Sequence, residues 1–117
     1  MFDANRRKYP RAQYACQLTL WLGDGISDTI LAETSNIGVG GLGLSVSRGI
    51  DAGTKIDIAV YFKNPTTPFK CRGVVVRSMK GQNGKYNIGI QFEPLNDLKS
   101  AFLEGKVAEL IELENKG

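Results

Sequence analysis

Short runs that alternate apolar and polar residues with a period of two most limit what this chain can fold into. Between Gln13 and Leu22, Tyr14, Cys16, Leu18, Leu20 and Leu22 fall on one side, with Gln17 and Thr19 on the other. Between Lys55 and Phe62, Ile56, Ile58, Val60 and Phe62 alternate with Lys55, Asp57, Ala59 and Tyr61. A strand turns successive side chains to opposite faces, so each run specifies a half-buried strand and spoils the stripe of an amphipathic helix. Thr29 to Ile37, Leu42 to about Val46, Phe69 to Met79 and Tyr86 to Phe92 read the same way. Turn signals separate them: Gly23-Asp24-Gly25, the Lys63 to Pro68 loop, and Asn83-Gly84, a strong reverse-turn dipeptide. Six short strands at nearly regular spacing predict a mainly β fold, a six-stranded antiparallel β-barrel, with Trp21 covering one end.

The tail changes period. Asn96 or Asp97 caps a helix expected to run to about Glu114, and Leu103, Val107, Leu110 and Ile111 form one apolar stripe. That stripe is expected to pack on the barrel. A dimer or partner surface is the alternative, with Gly105 permitting a close approach. The 117 residues, 42% hydrophobic, suffice for one domain with a modest core. It divides into a flexible basic arm (1–12), the barrel (13–94) and a C-terminal α-helix (95–115).

Composition removes several function classes. The chain has no histidine and only two well-separated cysteines, so neither a zinc site nor a histidine-activated nucleophile is expected. No metal, no catalytic residue and no enzyme activity are predicted. Cys16, inside the first alternation, is expected to be a buried free thiol, and Cys71 likewise. No apolar run approaches the ~20 residues that span a bilayer, and the first residues carry no apolar leader. The expectation is a cytoplasmic protein without membrane insertion.

The net charge of +3 is unevenly placed. Residues 1 to 11 hold Arg6, Arg7, Lys8 and Arg11 against Asp3, while the remaining 11 basic and 11 acidic residues cancel. A balanced body lacks the broad basic footprint of a protein that binds long nucleic acid, so no DNA or RNA partner is expected. An RNA-binding barrel would interleave aromatics with basic residues, and only Tyr9 and Tyr14 stand near the arm. Arg72 and Arg77 read as solvent-facing charges, one of which is a candidate to border a site.

The stretch Gly38-Val-Gly40-Gly-Leu-Gly43 has the letters of a dinucleotide fingerprint. That fingerprint needs a helix leaving the turn. Here Leu44 and Val46 alternate with serines, and Gly49 and Gly53 follow, so the chain continues as a strand.

Taken together, the arginine arm Arg7-Lys-Tyr-Pro-Arg11, preceded by Arg6, the loop Asn36-Ile-Gly38-Val-Gly40-Gly41, and the Gly89-Ile-Gln-Phe92 strand resemble the PilZ domain family. These are bacterial receptors for the messenger cyclic di-GMP, with motifs RxxxR and [D/N]xSxxG. The likeness runs from about Asn5 to the terminal helix and departs at Gly38, where the motif has serine. It implies that Arg7 and Arg11 contact guanine and phosphate, that Arg6 stacks on a base, and that Asn36 bonds a guanine edge. Gly41 would let the backbone approach the ligand and take a conformation a β-carbon resists. The chemistry suits the residues, because a guanidinium fork grips guanine O6 and N7 together, stacks on a base, or pairs with phosphate. Losing the serine hydroxyl at Gly38 removes about one hydrogen bond, worth ~0.5–1.5 kcal/mol. The resemblance thus implies a cyclic di-GMP receptor, monomer or homodimer, with no cofactor. It signals to an unknown downstream protein in motility, exopolysaccharide or envelope control. The alternative is a PilZ-like adaptor that binds protein and no nucleotide.

Overall fold

The computed structural model describes residues 11–13, 15–23, 28–63 and 67–116. Its strands are β1 (Arg11–Ala12), β2 (Gln17–Trp21), β3 (Thr29–Gly38), β4 (Gly41–Val46), β5 (Lys55–Tyr61), β6 (Phe69–Lys80) and β7 (Tyr86–Phe92), and α1 (Asp97–Lys116) follows. The expected inward position of Tyr14 and the turn at Asp24-Gly25 lie outside the described residues.

Strand order is β3-β2-β5-β6-β7-β4, and pairing of β3 with β4 closes the ring. Every pairing is antiparallel. This is the expected six-stranded barrel. The alternating residues fill it: Leu18 and Leu20, Ile56, Ile58 and Val60, Leu42 and Leu44, and Ile88 and Ile90 are all buried. Each such side chain contributes roughly 1.5–3 kcal/mol on leaving water.

One expected strand divides. The run from Gln13 to Leu22 becomes β2 alone, and β1 forms earlier, at Arg11 and Ala12, where it pairs with Gly38 and Ile37. Ala12 is wholly buried, so the last two residues of the expected flexible arm belong to the sheet. Between the two strands, Cys16 N donates to Thr34 Oγ1 at 2.9 Å and Thr34 N donates to Cys16 O at 2.8 Å.

The helix packs as its stripe predicts. Leu103, Val107 and Leu110 are buried, and Ile111 is packed against the same core. Phe102 stacks on Phe69 at 5.7 Å between ring centroids and meets Phe62 edge-on at 6.1 Å. Asn96 caps the helix, its Oδ1 accepting from Lys99 N at 2.8 Å. Gly105 is exposed, and an added Cβ there would meet no other part of the chain. No helix among the described residues is long and apolar enough to cross a membrane.

Candidate functional site

Arg11, the last arginine of the arm, and the glycine loop meet on the outside of the barrel, and a fault in β3 brings them together. Along β3 the inward positions are Ile30, Ala32 and Thr34, and strict alternation would send Asn36 inward as well. The register slips between Thr34 and Asn36: Thr34 pairs with Leu44, while Asn36 pairs with Gly43. Ser35 is the extra residue of a β-bulge, a device that re-aims a side chain. Thr34 stays buried, Ser35 is exposed, and Asn36 is turned out to a half-buried position.

Gly43 receives it. A Cβ on Gly43 would lie 3.0 Å from Asn36 Nδ2 and 3.4 Å from Oδ1, so the amide covers the place where a side chain would stand. Gly43 is therefore buried although its neighbours Leu42 and Leu44 are the ones facing the core.

Arg11 closes the group from the other side. Pairing Arg11 with Gly38 puts its side chain on the face of β3 that carries Asn36, and Arg11 Nη1 donates to Asn36 Oδ1 at 2.6 Å. With that oxygen committed to the guanidinium, the amide's N–H groups remain as donors. Two sequence motifs 25 residues apart are thus joined by one hydrogen bond. The chain just beyond is fastened too, since Gln13 N donates to Glu114 Oε2 near the end of α1 at 2.7 Å.

Gly38 and Gly41 flank the β3–β4 turn. Among the described residues the glycines with positive φ are Gly53 and Gly84, so the conformation expected at Gly41, one that a β-carbon resists, is not a left-handed backbone. The need for glycine at 41 comes from β7. A Cβ there would collide with the backbone carbonyl of Ile90, so its bareness serves strand contact. Arg6 and Arg7 lie outside the described residues. Sequence reasoning missed Gly43, whose signal is a second glycine two positions after Gly41 on the same strand.

Of the two arginines on β6, Arg72 is exposed and paired with Asp57 on β5, Nε to Oδ1 at 2.9 Å. Arg77 is exposed as well, and its side chain lies across Gly89 on β7. Both cysteines are free thiols. Burial pushes both above the ordinary thiol range, Cys71 to about 12, so neither carries the thiolate a nucleophile requires. Among the described residues no group of three or more histidine, cysteine or acidic side chains is placed to hold a metal ion.

A closed antiparallel barrel capped by a C-terminal helix, with an arginine–asparagine pair on a glycine-lined face, defines the class of small six-stranded barrel domains. The chain belongs to the PilZ domain family, which it matches over residues 5–109. No curated protein matches it in sequence. Among solved structures it resembles the inhibitor of motility MotI/DgrA of Bacillus subtilis, at 16% identity and TM-score 0.77, covering 96% of this chain and 53% of that one. It also resembles the PilZ domain of YcgR from Escherichia coli, solved with c-di-GMP, at 12% identity, TM-score 0.72 and 95% coverage of both chains. The MrkH–c-di-GMP complex of K. pneumonia matches at 16% identity and TM-score 0.70, over 96% of this chain and 56% of that one. At these identities the likeness is one of fold. This chain spans about half the length of MotI/DgrA and MrkH, and nearly all of the YcgR domain.

Proposed function

We propose that this protein is a non-enzymatic receptor for cyclic di-GMP. The observation that carries the reading is the 2.6 Å bond from Arg11 to Asn36, which sets the last arginine of RxxxR against the first residue of the NxGxxG loop. A cyclic dinucleotide is a compact anion with two purines, and this ledge offers it a guanidinium plus an amide N–H pair suited to guanine O6 or N7. Arg11 takes guanine and phosphate together with Arg7 of the arm. Arg6 stacks on a base, and Gly38 and Gly41 line the ledge. Two proteins of the same fold were solved with this ligand, which supports the assignment.

The output passes to a downstream protein. MotI/DgrA is an inhibitor of motility, and MrkH is described as a c-di-GMP-dependent transcription regulatory factor. A DNA mobility assay with and without cyclic di-GMP therefore belongs beside any search for a protein partner.

Isothermal calorimetry with cyclic di-GMP tests the reading. Wild type should bind at micromolar concentration or better, and Arg11→Ala should lose roughly tenfold or more, the worth of a charged hydrogen bond. Absence of heat from wild type at tens of micromolar ligand would favour the adaptor, for which the glycine in place of the motif serine at position 38 speaks.

A further inference from the structure

The register of β1 on β3 does not continue that of β2. Gln17 lies opposite Glu33, and running that register backward would set Ala12 opposite Gly38 and Arg11 opposite Val39. The observed partners are Ile37 and Gly38, one residue short. From Ala12 to Gln17 the chain takes five steps where β3 takes four, so it carries one extra residue. A one-residue slip turns every side chain to the other face. Without it Arg11 would share the face of Ile37, which is wholly buried, and Asn36 would have no guanidinium beside it.

Thr34 stands where the two registers part. Thr34 N donates to Cys16 O, which keeps Cys16 in the register of β2, so the extra residue falls between Ala12 and Cys16. In a regular antiparallel pair Cys16 N would donate to the Thr34 carbonyl in return. It donates instead to Thr34 Oγ1 at 2.9 Å. The hydroxyl stands in for the carbonyl, and β3 bulges at the next residue, Ser35. Thr34 is 3% exposed and Cys16 5%, so this N–H is cut off from water, and a buried donor needs an acceptor from the protein.

We propose that Thr34 is a positioning residue of the ligand site, whose hydroxyl holds the slip that delivers Arg11 to Asn36. The buried side chains agree with this. β3 passes from Thr34 to Ile37 in three steps, the chain opposite passes from Cys16 to Ala12 in four, and all four side chains are buried. Thr34 faces the core and Asn36 is turned out, so Thr34 acts through the backbone and not by touching the ligand. Valine has the shape of threonine without the acceptor. With valine at position 34, Cys16 N would either stay buried without an acceptor or claim the carbonyl of residue 34 and straighten the bulge. Either outcome loosens the pair of Arg11 and Asn36.

As a role in binding the proposal rests on the cyclic di-GMP reading, and its test has one arm that needs no ligand. In two-dimensional NMR of the free protein, Thr34→Val should move the Asn36 side-chain amide resonances toward their positions in Arg11→Ala. Thr34→Ser, which keeps the hydroxyl, should leave them near wild type. Unmoved resonances in Thr34→Val would overturn the proposal whether or not the ligand binds. Calorimetry with cyclic di-GMP follows, on variants first shown to be folded at the working temperature. Thr34→Val should weaken binding about three- to tenfold, the worth of one hydrogen bond, and Thr34→Ser should restore it. In an Arg11→Ala background Thr34→Val should cost less than about twofold more, because it acts through the residue already removed. A full second loss there, or a serine variant as weak as the valine one, would reduce Thr34 to general stability and overturn its role. Tight binding by wild type with Thr34→Val within about twofold of it would overturn the role and leave the receptor standing. Absence of binding by wild type removes the receptor and the binding role together, and the free-protein resonances still decide the register.

Discussion

Gly41 and Gly43 stand two residues apart on one strand and lack a β-carbon for different reasons. At Gly41 the space belongs to the Ile90 carbonyl, a backbone group that moves only if β7 moves with it; at Gly43 it belongs to the amide of Asn36, which can swing away. Gly41→Ala should therefore cost about 1–3 kcal/mol in urea denaturation, as overpacking does. Gly43→Ala should leave stability nearly unchanged while displacing Asn36 from Arg11. It should weaken cyclic di-GMP binding about three- to tenfold, the worth of one hydrogen bond. Equal destabilisation by both alanines would refute the distinction. The thiols offer a pH test. Burial raises Cys71 from 9.0 to about 12, so the folded chain holds its proton where the unfolded chain has released it. Stability from this group is complete below about pH 9 and is lost as pH rises toward 12, because over that window the unfolded state binds fewer protons. Circular dichroism in alkaline urea series should show wild type losing stability more steeply than Cys71→Ser across that range.

At the scale of elements, the helix carries its own prediction. Gly105 sits in the interior of α1 with open space where a Cβ would project. Gly105→Ala should stabilise the protein by about 1 kcal/mol through helix propensity alone. A higher melting midpoint is the expected readout, and a fall would mean that a second copy packs on that face. The strands β2 to β7, and the apolar stripe of α1, were legible in the sequence because a period of two or of 3.6 is local information. β1 was not, since two residues have no period, and Arg11 read as part of a loose arm. The two slips beside Thr34 were not legible either. Thr34 and Ser35 are unremarkable residues, and each slip exists only relative to a partner strand. The reason for a glycine is equally hidden: whether its missing side chain yields to a carbonyl or to an amide depends on register.

For the whole molecule, binding and folding are linked. On the receptor reading, a ligand held by groups from β1 and β3 binds the closed barrel and has no site on the unfolded chain. Cyclic di-GMP at a hundred times its Kd should add about 2.7 kcal/mol of stability and raise the unfolding midpoint by roughly 10 °C. Differential scanning fluorimetry measures this directly, and an unmoved midpoint would contradict the receptor reading. The contact from Gln13 N to Glu114 Oε2, 101 residues apart in the chain, ties the segment after Arg11 to the final turns of α1. Any tug on that segment is felt at the other end of the chain, where the carboxylate must either follow or let go. The two ends of the chain are thereby coupled mechanically through the packing of α1 on β1 and this one bond across it.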